Sequence, residues 1–396
     1  MTNNIAAPPS VDLSDEIQAR SQTSSHMPEL DGVRGIAILL VLFTHLGSIV
    51  RSAGIFELIV REGWVGVDLF FVLSGFLITR ILIATREDRQ YYRRFYVRRA
   101  LRIWPLYFLY VLVIYSGLHI LAHVDAVQRF AATSQVLRDN LLHLSQPLIV
   151  YFLFVQNLTN FGDMLGVTWS LCVEEHFYLI WPLLARKFSI AVLKKILWIG
   201  FFTQPLLRLA YVFFAQSRHV TYAKYYEVIY HRTYFHLDAI IAGCLLGLYW
   251  IEWKKPELQR SRFWAMVAAG FAASVVCIVL TRQYNTFGSC FAYTTLSILF
   301  AGAIGLVLLG WNRSFFRNAQ LRYMGKISYG FYLIHFPIIA IFQSHAVLAK
   351  IFPFHSVLLS EIAGAICATS ISLAIAVASW NWLEKPALSL KSRLAP

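Results

Sequence analysis

Apolar stretches close to the ~20 residues that a helix needs to cross a bilayer recur throughout the chain. They lie near 33–50, 64–84, 103–122, 169–185, 192–214, 234–251, 263–281, 290–311, 327–348 and 356–382. In hydrocarbon every backbone N–H and C=O must be satisfied within the protein, which leaves helices or closed barrels. Segments this long and this uniformly apolar specify helices. The expected fold class is all-α: a polytopic integral membrane helical bundle of about ten transmembrane helices. Composition excludes the soluble alternative, because 58% of the 396 residues are hydrophobic and 14% are charged, against roughly 25% charged in soluble domains. A further apolar stretch at 139–158 is interrupted by His143, Ser145, Gln146, Pro147, Gln156 and Asn157 and reads as a re-entrant or interfacial piece.

The net charge of +14 does not point to nucleic acid, because the basic residues form short clusters between apolar stretches. That pattern is a topological signal. With the N-terminus cytoplasmic, the inner clusters at 86–102, 186–195, 254–262, 313–326 and 385–393 outnumber the basic residues of the outer loops by more than two to one. A full crossing at 139–158 would reverse every later cluster, so the charge bias favours ten spans and both termini in the cytoplasm, in an inner (cytoplasmic) membrane. Residues 1–28 are polar and lack a signal-peptide core, which reads as a disordered cytoplasmic tail. Residues 29–385 form the expected transmembrane domain and 386–396 a cytoplasmic C-terminal tail. No C-x-x-C pair occurs among the five cysteines, so neither a zinc site nor a disulfide framework is indicated.

Ionisable side chains at membrane depth are costly unless paired or facing a cavity, and each is a candidate for function. In the first helix, Arg34 stands at the cytoplasmic mouth and His45 well inside. Eleven residues at about 100° each return to nearly the same face and span roughly 16 Å, so both line one stripe. The bland readings are an interhelical hydrogen bond for His45 and a headgroup anchor for Arg34. Asp68, opening the second helix, either orients His45 as a carboxylate does in hydrolytic triads or caps its own helix. Arg99 and Arg102, three apart and thus on one helical face, suit phosphate oxygens, either of a coenzyme A thioester or of lipid headgroups.

The fourth helix begins with Trp169 and carries Glu174 and Tyr178 on one face, suited to an acceptor hydroxyl, while Glu175 complements the macrodipole. His236 and Asp238 open the sixth helix behind a tyrosine-rich loop, where aromatic and polar groups together suit a sugar and an ordinary interfacial belt is the rival reading. His335 is a further candidate, with a packed, hydrogen-bonded role expected. Asn157 begins a glycosylation sequon beside an apolar run.

Taken in order, several short patterns carry a resemblance. These are Leu30-Asp31-Gly32-x-Arg34-Gly35 with His45, Gly66-Val67-Asp68 through Ser74-Gly75-Phe76, and Arg99-x-x-Arg102 before Ile103-Trp104-Pro105. Trp169-Ser170-Leu171-x-Val173-Glu174 and Ser328-Tyr329-x-x-Tyr332-Leu333-x-His335 complete the set. Over nearly the whole chain after residue 28 the sequence resembles acyltransferase family 3, multi-pass membrane enzymes that acylate sugars and related acceptors. The resemblance implies a cytoplasmic acyl-CoA donor, acetyl-CoA foremost, an essential first-helix histidine at His45, and donor binding by Arg34, Arg99 and Arg102. The chain ends thirteen residues after Leu383, which reads as a transferase domain standing alone. His176 stands where the family often has glutamine.

The expected mechanism has His45 as general base, with Asp68 or Glu174 orienting the imidazole or the acceptor. A covalent acyl-histidine is the alternative chemistry. Trp169, Tyr178, His236 and Asp238 are the expected contacts to a carbohydrate or glycolipid, and no metal is expected. The rival functions are a proton-coupled transporter, which shares buried ionisable groups, and a lipid-binding membrane protein, which leaves His45 without a task.

Overall fold

The computed structural model describes residues 27–52, 61–125, 128–129, 146–159, 164–282 and 286–395. Among these, ten helices of fifteen residues or more lie at the ten expected positions: α1 Pro28–Leu46, α2 Val65–Ala84, α3 Tyr91–Ala122, α4 Trp169–Lys187, α5 Ile190–Ser217, α6 Asp238–Glu252, α7 Arg260–Arg282, α8 Thr286–Leu308, α9 Ala319–Phe342 and α10 Val357–Ser379. No strand occurs among the described residues. The protein is an all-α integral membrane bundle.

Seven segments, those overlapping α2, α3, α5, α7, α8, α9 and α10, are long and apolar enough to cross a membrane. The other three long helices fall short for reasons visible in their sequences. α1 carries Glu29, Asp31 and Arg34, α4 carries Glu174, Glu175, Arg186 and Lys187, and α6 has 15 residues.

Close helix approach holds the bundle. A Cβ on Gly75 would collide with the Ile240 carbonyl of α6, and one on Gly243 would collide with the Val72 carbonyl of α2. Small residues allow this where no hydrophobic drive separates helix contact from lipid contact. The same device sets α1 against α9, where Gly35 meets Leu321 and Gly325 meets Asp31.

Two differences from expectation concern boundaries. The arginine-rich segment 86–102 is not a loop from end to end, since from Tyr91 onward it is the start of the 32-residue α3. At 1.5 Å per residue that helix runs about 48 Å, longer than the ~30 Å hydrocarbon core, so its arginine turns stand beyond the apolar part. The turn before it is closed by Asp88, whose carboxylate accepts the Gln90 N–H at 2.8 Å and pairs with Arg94. The Gln90 bond and the Arg94 charge hold this carboxyl below the usual aspartate range. Of the stretch 139–158, residues 139–145 lie outside the described part. The remainder holds a five-residue helix, Leu148–Phe152, and the turn Gln156–Leu158. Buried Gln156 ties this piece down by donating to the Tyr107 hydroxyl and to Thr168 Oγ1, each at 3.0 Å. Asn157 is buried too, donating to the His231 carbonyl and Thr233 Oγ1, so the sequon lies inside the fold.

Of the expected tail at 1–28, residues 1–26 lie outside the described residues, and Pro28 already begins α1. At the other end the chain continues in short helical turns, Lys385–Ser389 and Lys391–Leu394.

Candidate active site

Two cavities abut inside the bundle. The first, about 90 Å³, is lined by Arg34 of α1, Ser74 of α2, Arg99 and Arg102 of α3, and Glu174 and Tyr178 of α4. Four helices thus aim their polar side chains at one narrow space. Ser74 Oγ donates to Glu174 Oε1 at 2.5 Å, and the Arg99 guanidinium lies 5.6 Å from the Tyr178 ring centre. Arg34 sits 3.6 Å from Asp31. Neither Arg99 nor Arg102 forms an ion pair with a described residue, so the cavity holds more positive than negative charge. A guanidinium fork held in a recess has the geometry to meet a bidentate anion.

The second cavity, about 460 Å³, is lined by Thr44 and His45 of α1, Trp64, Val167, Trp169, Phe336, and Tyr226, Tyr230 and His231 of the short helix Tyr222–His231. Its walls are largely aromatic. Tyr222, Tyr226 and Tyr230 recur every fourth residue on that helix, and their rings stack in sequence with centroids 5.7 and 6.3 Å apart.

The His45 ring is set by two neighbours. Its Nδ1 lies 2.8 Å from the Val41 carbonyl and 3.2 Å from His335 Nε2. His335 Nδ1 faces the Phe331 carbonyl at 3.0 Å and must donate there, which leaves its Nε2 as an acceptor. The proton on His45 is thereby assigned to Nδ1, shared between Val41 and His335. His45 Nε2 keeps its lone pair and makes no hydrogen bond to a described residue. A neutral imidazole fixed in this tautomer is the form a general base requires.

Several predicted residues lie elsewhere than expected. Asp68 does not orient His45. It is fully buried and its Oδ1 lies 2.8 Å from His236 Nε2, while Oδ2 has no hydrogen-bond partner among the described residues. His236 Nδ1 faces the Tyr230 carbonyl at 2.7 Å, so both ring nitrogens meet acceptors and a proton must lie between the ring and Asp68. Asp238 is likewise consumed, held by Arg208 at 2.6 and 3.0 Å with both side chains fully buried. Asp68, His236 and Asp238 line neither cavity. They form the wall behind Trp169, whose ring lies 5.2 Å from that of His236. Glu174 and Tyr178, expected beside an acceptor, sit instead with the arginines. Trp169 does share the cavity of His45, and Arg99 and Arg102, on one helical face by their spacing, share a cavity with Arg34, which the resemblance grouped with them.

Sequence reading missed Arg208, although an arginine in Leu206-Leu207-Arg208-Leu209 carries the same signal as the residues it singled out. His335 takes the packed, hydrogen-bonded place expected of it, with His45 as its partner. The motif Ser328-Tyr329-x-x-Tyr332-Leu333-x-His335 contained the clue, since Tyr332 and His335 are three apart and both reach the site.

Fold and site together define a polytopic helical membrane protein in which an arginine-lined cavity backs onto a histidine-bearing one. Residues 27–381 match the family model described as an acyltransferase domain, and the chain belongs to that family. The resemblance to acyltransferase family 3 read from its motifs therefore holds. The chain is 28% identical to the peptidoglycan O-acetyltransferase OatA of Listeria monocytogenes over 338 residues, 80% of this chain and 50% of that protein. It is 26% identical to a putative O-acetyltransferase of Staphylococcus aureus over 347 residues, 82% of this chain and 53% of the other. It is 28% identical to the putative peptidoglycan O-acetyltransferase YrhL of Bacillus subtilis over 399 residues, 93% of this chain and 56% of the other. The chain thus spans about half the length of the curated relatives it matches. No solved structure shows a significant match.

Proposed function

We propose that this protein is an O-acyltransferase that moves an acetyl group from cytoplasmic acetyl-CoA to a hydroxyl of a carbohydrate or glycolipid at the outer side of the inner membrane, with both termini cytoplasmic. The observation that carries the reading is the junction of the two cavities. Three guanidiniums, two of them in no ion pair with a described residue, line a narrow recess, and it abuts a wide aromatic space holding a histidine whose Nε2 makes no hydrogen bond to a described residue. The names of the relatives support O-acetylation, with peptidoglycan among the named acceptors.

In this reading the donor's phosphates rest on Arg34, Arg99 and Arg102, and its slender pantetheine arm runs along α1 toward His45. Glu174 and Tyr178 belong to the donor recess, where the carboxylate held by Ser74 limits the excess positive charge. Trp169, Tyr226 and Tyr230 offer ring faces to the apolar side of a sugar. His236 and Asp238, rather than touching the acceptor, hold the wall that positions Trp169, and Asp68 serves there through His236. His45 Nε2 takes the proton of the acceptor hydroxyl as its oxygen attacks the thioester carbonyl carbon. The C–S bond then breaks, and the departing thiolate recovers the proton from the imidazolium. The products are an O-acyl ester and free thiol, and the histidine is regenerated. His335 holds the His45 ring in the competent tautomer and acts as a positioning residue.

The test uses purified protein in detergent or vesicles with labelled acetyl-CoA and an acceptor glycan. Wild type should transfer label, and His45→Ala should lower the rate by roughly 10²- to 10⁴-fold, the usual contribution of a general base. Undiminished transfer by the variant would sink this role for His45. Solute flux without transfer would favour a transporter.

A further inference from the structure

A third space, about 720 Å³, opens on the face of α9 turned away from His45. Ile334, Ile338 and Ile341 line it, and at about 100° per residue they point opposite to Tyr332 and Phe336 of the histidine cavity. We infer that this groove holds the hydrocarbon chain of a lipid-linked acceptor glycan and so brings the glycan to His45. The inference rests on the reading of the histidine cavity as the acceptor site, and it narrows the acceptor from carbohydrates at large to glycolipids.

The groove suits hydrocarbon in both place and lining. Leu106 through Leu121 of α3 form one wall, and Ile375 of α10 with Trp382 of the turn that follows forms another. α3, α9 and α10 belong to segments long and apolar enough to cross a membrane, which sets the groove at the depth of lipid chains. Its two hydroxyls are spent within the protein. Tyr110 donates to the Met164 carbonyl at 3.1 Å, and Ser379 donates to Glu384 at 3.0 Å. Midway along α3 the groove widens, because a Cβ added to Gly117 would meet nothing within 4 Å.

Length and position select the occupant. At 1.5 Å per residue the α3 wall from Leu106 to Leu121 runs about 22 Å. One leaflet takes up only about 15 Å of the hydrocarbon core, so the groove passes the midplane. A phospholipid chain held in one leaflet leaves part of it empty, whereas a polyisoprenyl chain, longer than a leaflet is deep, fills it. At one end of the groove Met164 packs with Leu118 and Ala340. Gly166 and Val167, the second and third residues after Met164, line the histidine cavity. A chain lying in the groove therefore places its head beside the acceptor cavity, around the edge of α9.

The experiment offers one glycan in three forms, free, octyl-linked and polyisoprenyl-linked, with labelled acetyl-CoA in a single detergent. Wild type is compared with Gly117→Trp and Ile341→Trp, which fill the groove, and with Ile199→Trp at an exposed site of α5 that lines none of the three spaces. In wild type kcat/KM for the polyisoprenyl form should exceed that for the octyl form by about 10-fold or more, the worth of roughly two buried methylenes. Both groove variants should lose most of that preference through KM, with transfer to the free glycan as in wild type, and Ile199→Trp should keep it. A preference unchanged in the groove variants overturns the inference and leaves the transferase reading intact. Occupancy is read separately with a polyisoprenyl glycan carrying a diazirine in its chain. It should cross-link to the groove-lining peptides of α3 and α9, and excess unlabelled polyisoprenyl glycan should displace it where phospholipid does not. Equal displacement by phospholipid assigns the groove to bilayer lipid and also overturns the inference. Cross-linking as expected without transfer to any form overturns the transferase reading and leaves the groove a site for a lipid-linked glycan.

Discussion

Arg208 lies in the middle of α5 with no exposure, yet all five of its N–H donors are used. Nε donates to the Cys290 carbonyl, Nη1 to the Phe235 carbonyl and Asp238, and Nη2 to Asp238 and Thr294. Thr294 in turn donates to Asp238 at 2.5 Å. Breaking a buried pair by removing one partner strands a charge and typically costs about 3–5 kcal/mol. Arg208→Met should therefore lower the unfolding midpoint sharply, and adding Asp238→Leu should recover part of the loss, as measured by thermal unfolding in detergent. A midpoint unchanged in Arg208→Met would remove the pair's structural role. This cluster also shows where sequence reading stopped. Asp238 was legible as an ionisable group at depth, which marks it as important, but its partner is thirty positions earlier in the chain and on another helix. A single sequence gives the cost of a buried charge and not the identity of what satisfies it. Arg99 and Arg102 were legible as a pair because their relation is local, three residues on one helix, whereas Arg34 and His45, which helical periodicity puts on one stripe, line two different cavities.

Helix positions were legible because apolar length is a property of the segment itself, whereas helix ends were not. Hydropathy locates the membrane, and α3 begins twelve residues before its apolar part because arginine is a good helix former. The contacts between helices were legible only as scattered glycines. Structure separates those that matter from those that do not. Gly243 packs against the Val72 carbonyl and the Phe76 amide of α2, the helix that carries Val67, Asp68 and Ser74, while Gly117 in α3 has nothing within 4 Å of an added Cβ. Gly243→Ala must push α6 from α2, so both the thermal midpoint and acyl transfer should fall. Gly117→Ala removes a flexible residue from a helix interior and should be neutral or stabilising by up to about 1 kcal/mol. Equal effects of the two substitutions on the midpoint would show that close backbone approach does not hold the α2–α6 pair.

At the scale of the whole molecule the open quantity is how many of the ten long helices cross the bilayer. Seven segments meet the length and apolarity requirement, and the helices that fall short include α1 and α4, which carry site residues into the cavities. Contacts at the helix ends show which termini lie together. At one end, Glu29 meets Arg313 and Arg317, Arg86 donates to the carbonyls of Arg186 and Phe188, Lys194 meets Glu252 at 2.7 Å, and Arg98 donates to the Ala395 carbonyl. These join the start of α1 to the link between α8 and α9, the end of α2 to the end of α4, the start of α5 to the end of α6, and the first turns of α3 to the last turn of the chain. At the other end, Ser52 donates to Glu361 and Gln216 to Thr286, joining the region after α1 to α10 and the end of α5 to the start of α8. Arg260 donates to the Leu309 carbonyl at 3.2 Å, which sets the start of α7 beside the end of α8. Successive helices thus alternate in direction, and the basic clusters collect at the first end, the pattern that the positive-inside rule associates with a cytoplasmic face. The two counts differ at one testable pair of exposed sites. Ser217 closes α5 and Arg262 lies in the first turn of α7. If ten helices cross, Ser217 and Arg262 face opposite sides; if α1, α4 and α6 do not cross, α5 and α7 are consecutive crossings and both sites face the same side. Ser217→Cys and Arg262→Cys, each labelled with a membrane-impermeant maleimide in intact cells and in inverted vesicles, should label from opposite sides. Labelling of both from one side would leave seven crossings and would remove the topological argument that donor and acceptor approach His45 from different compartments.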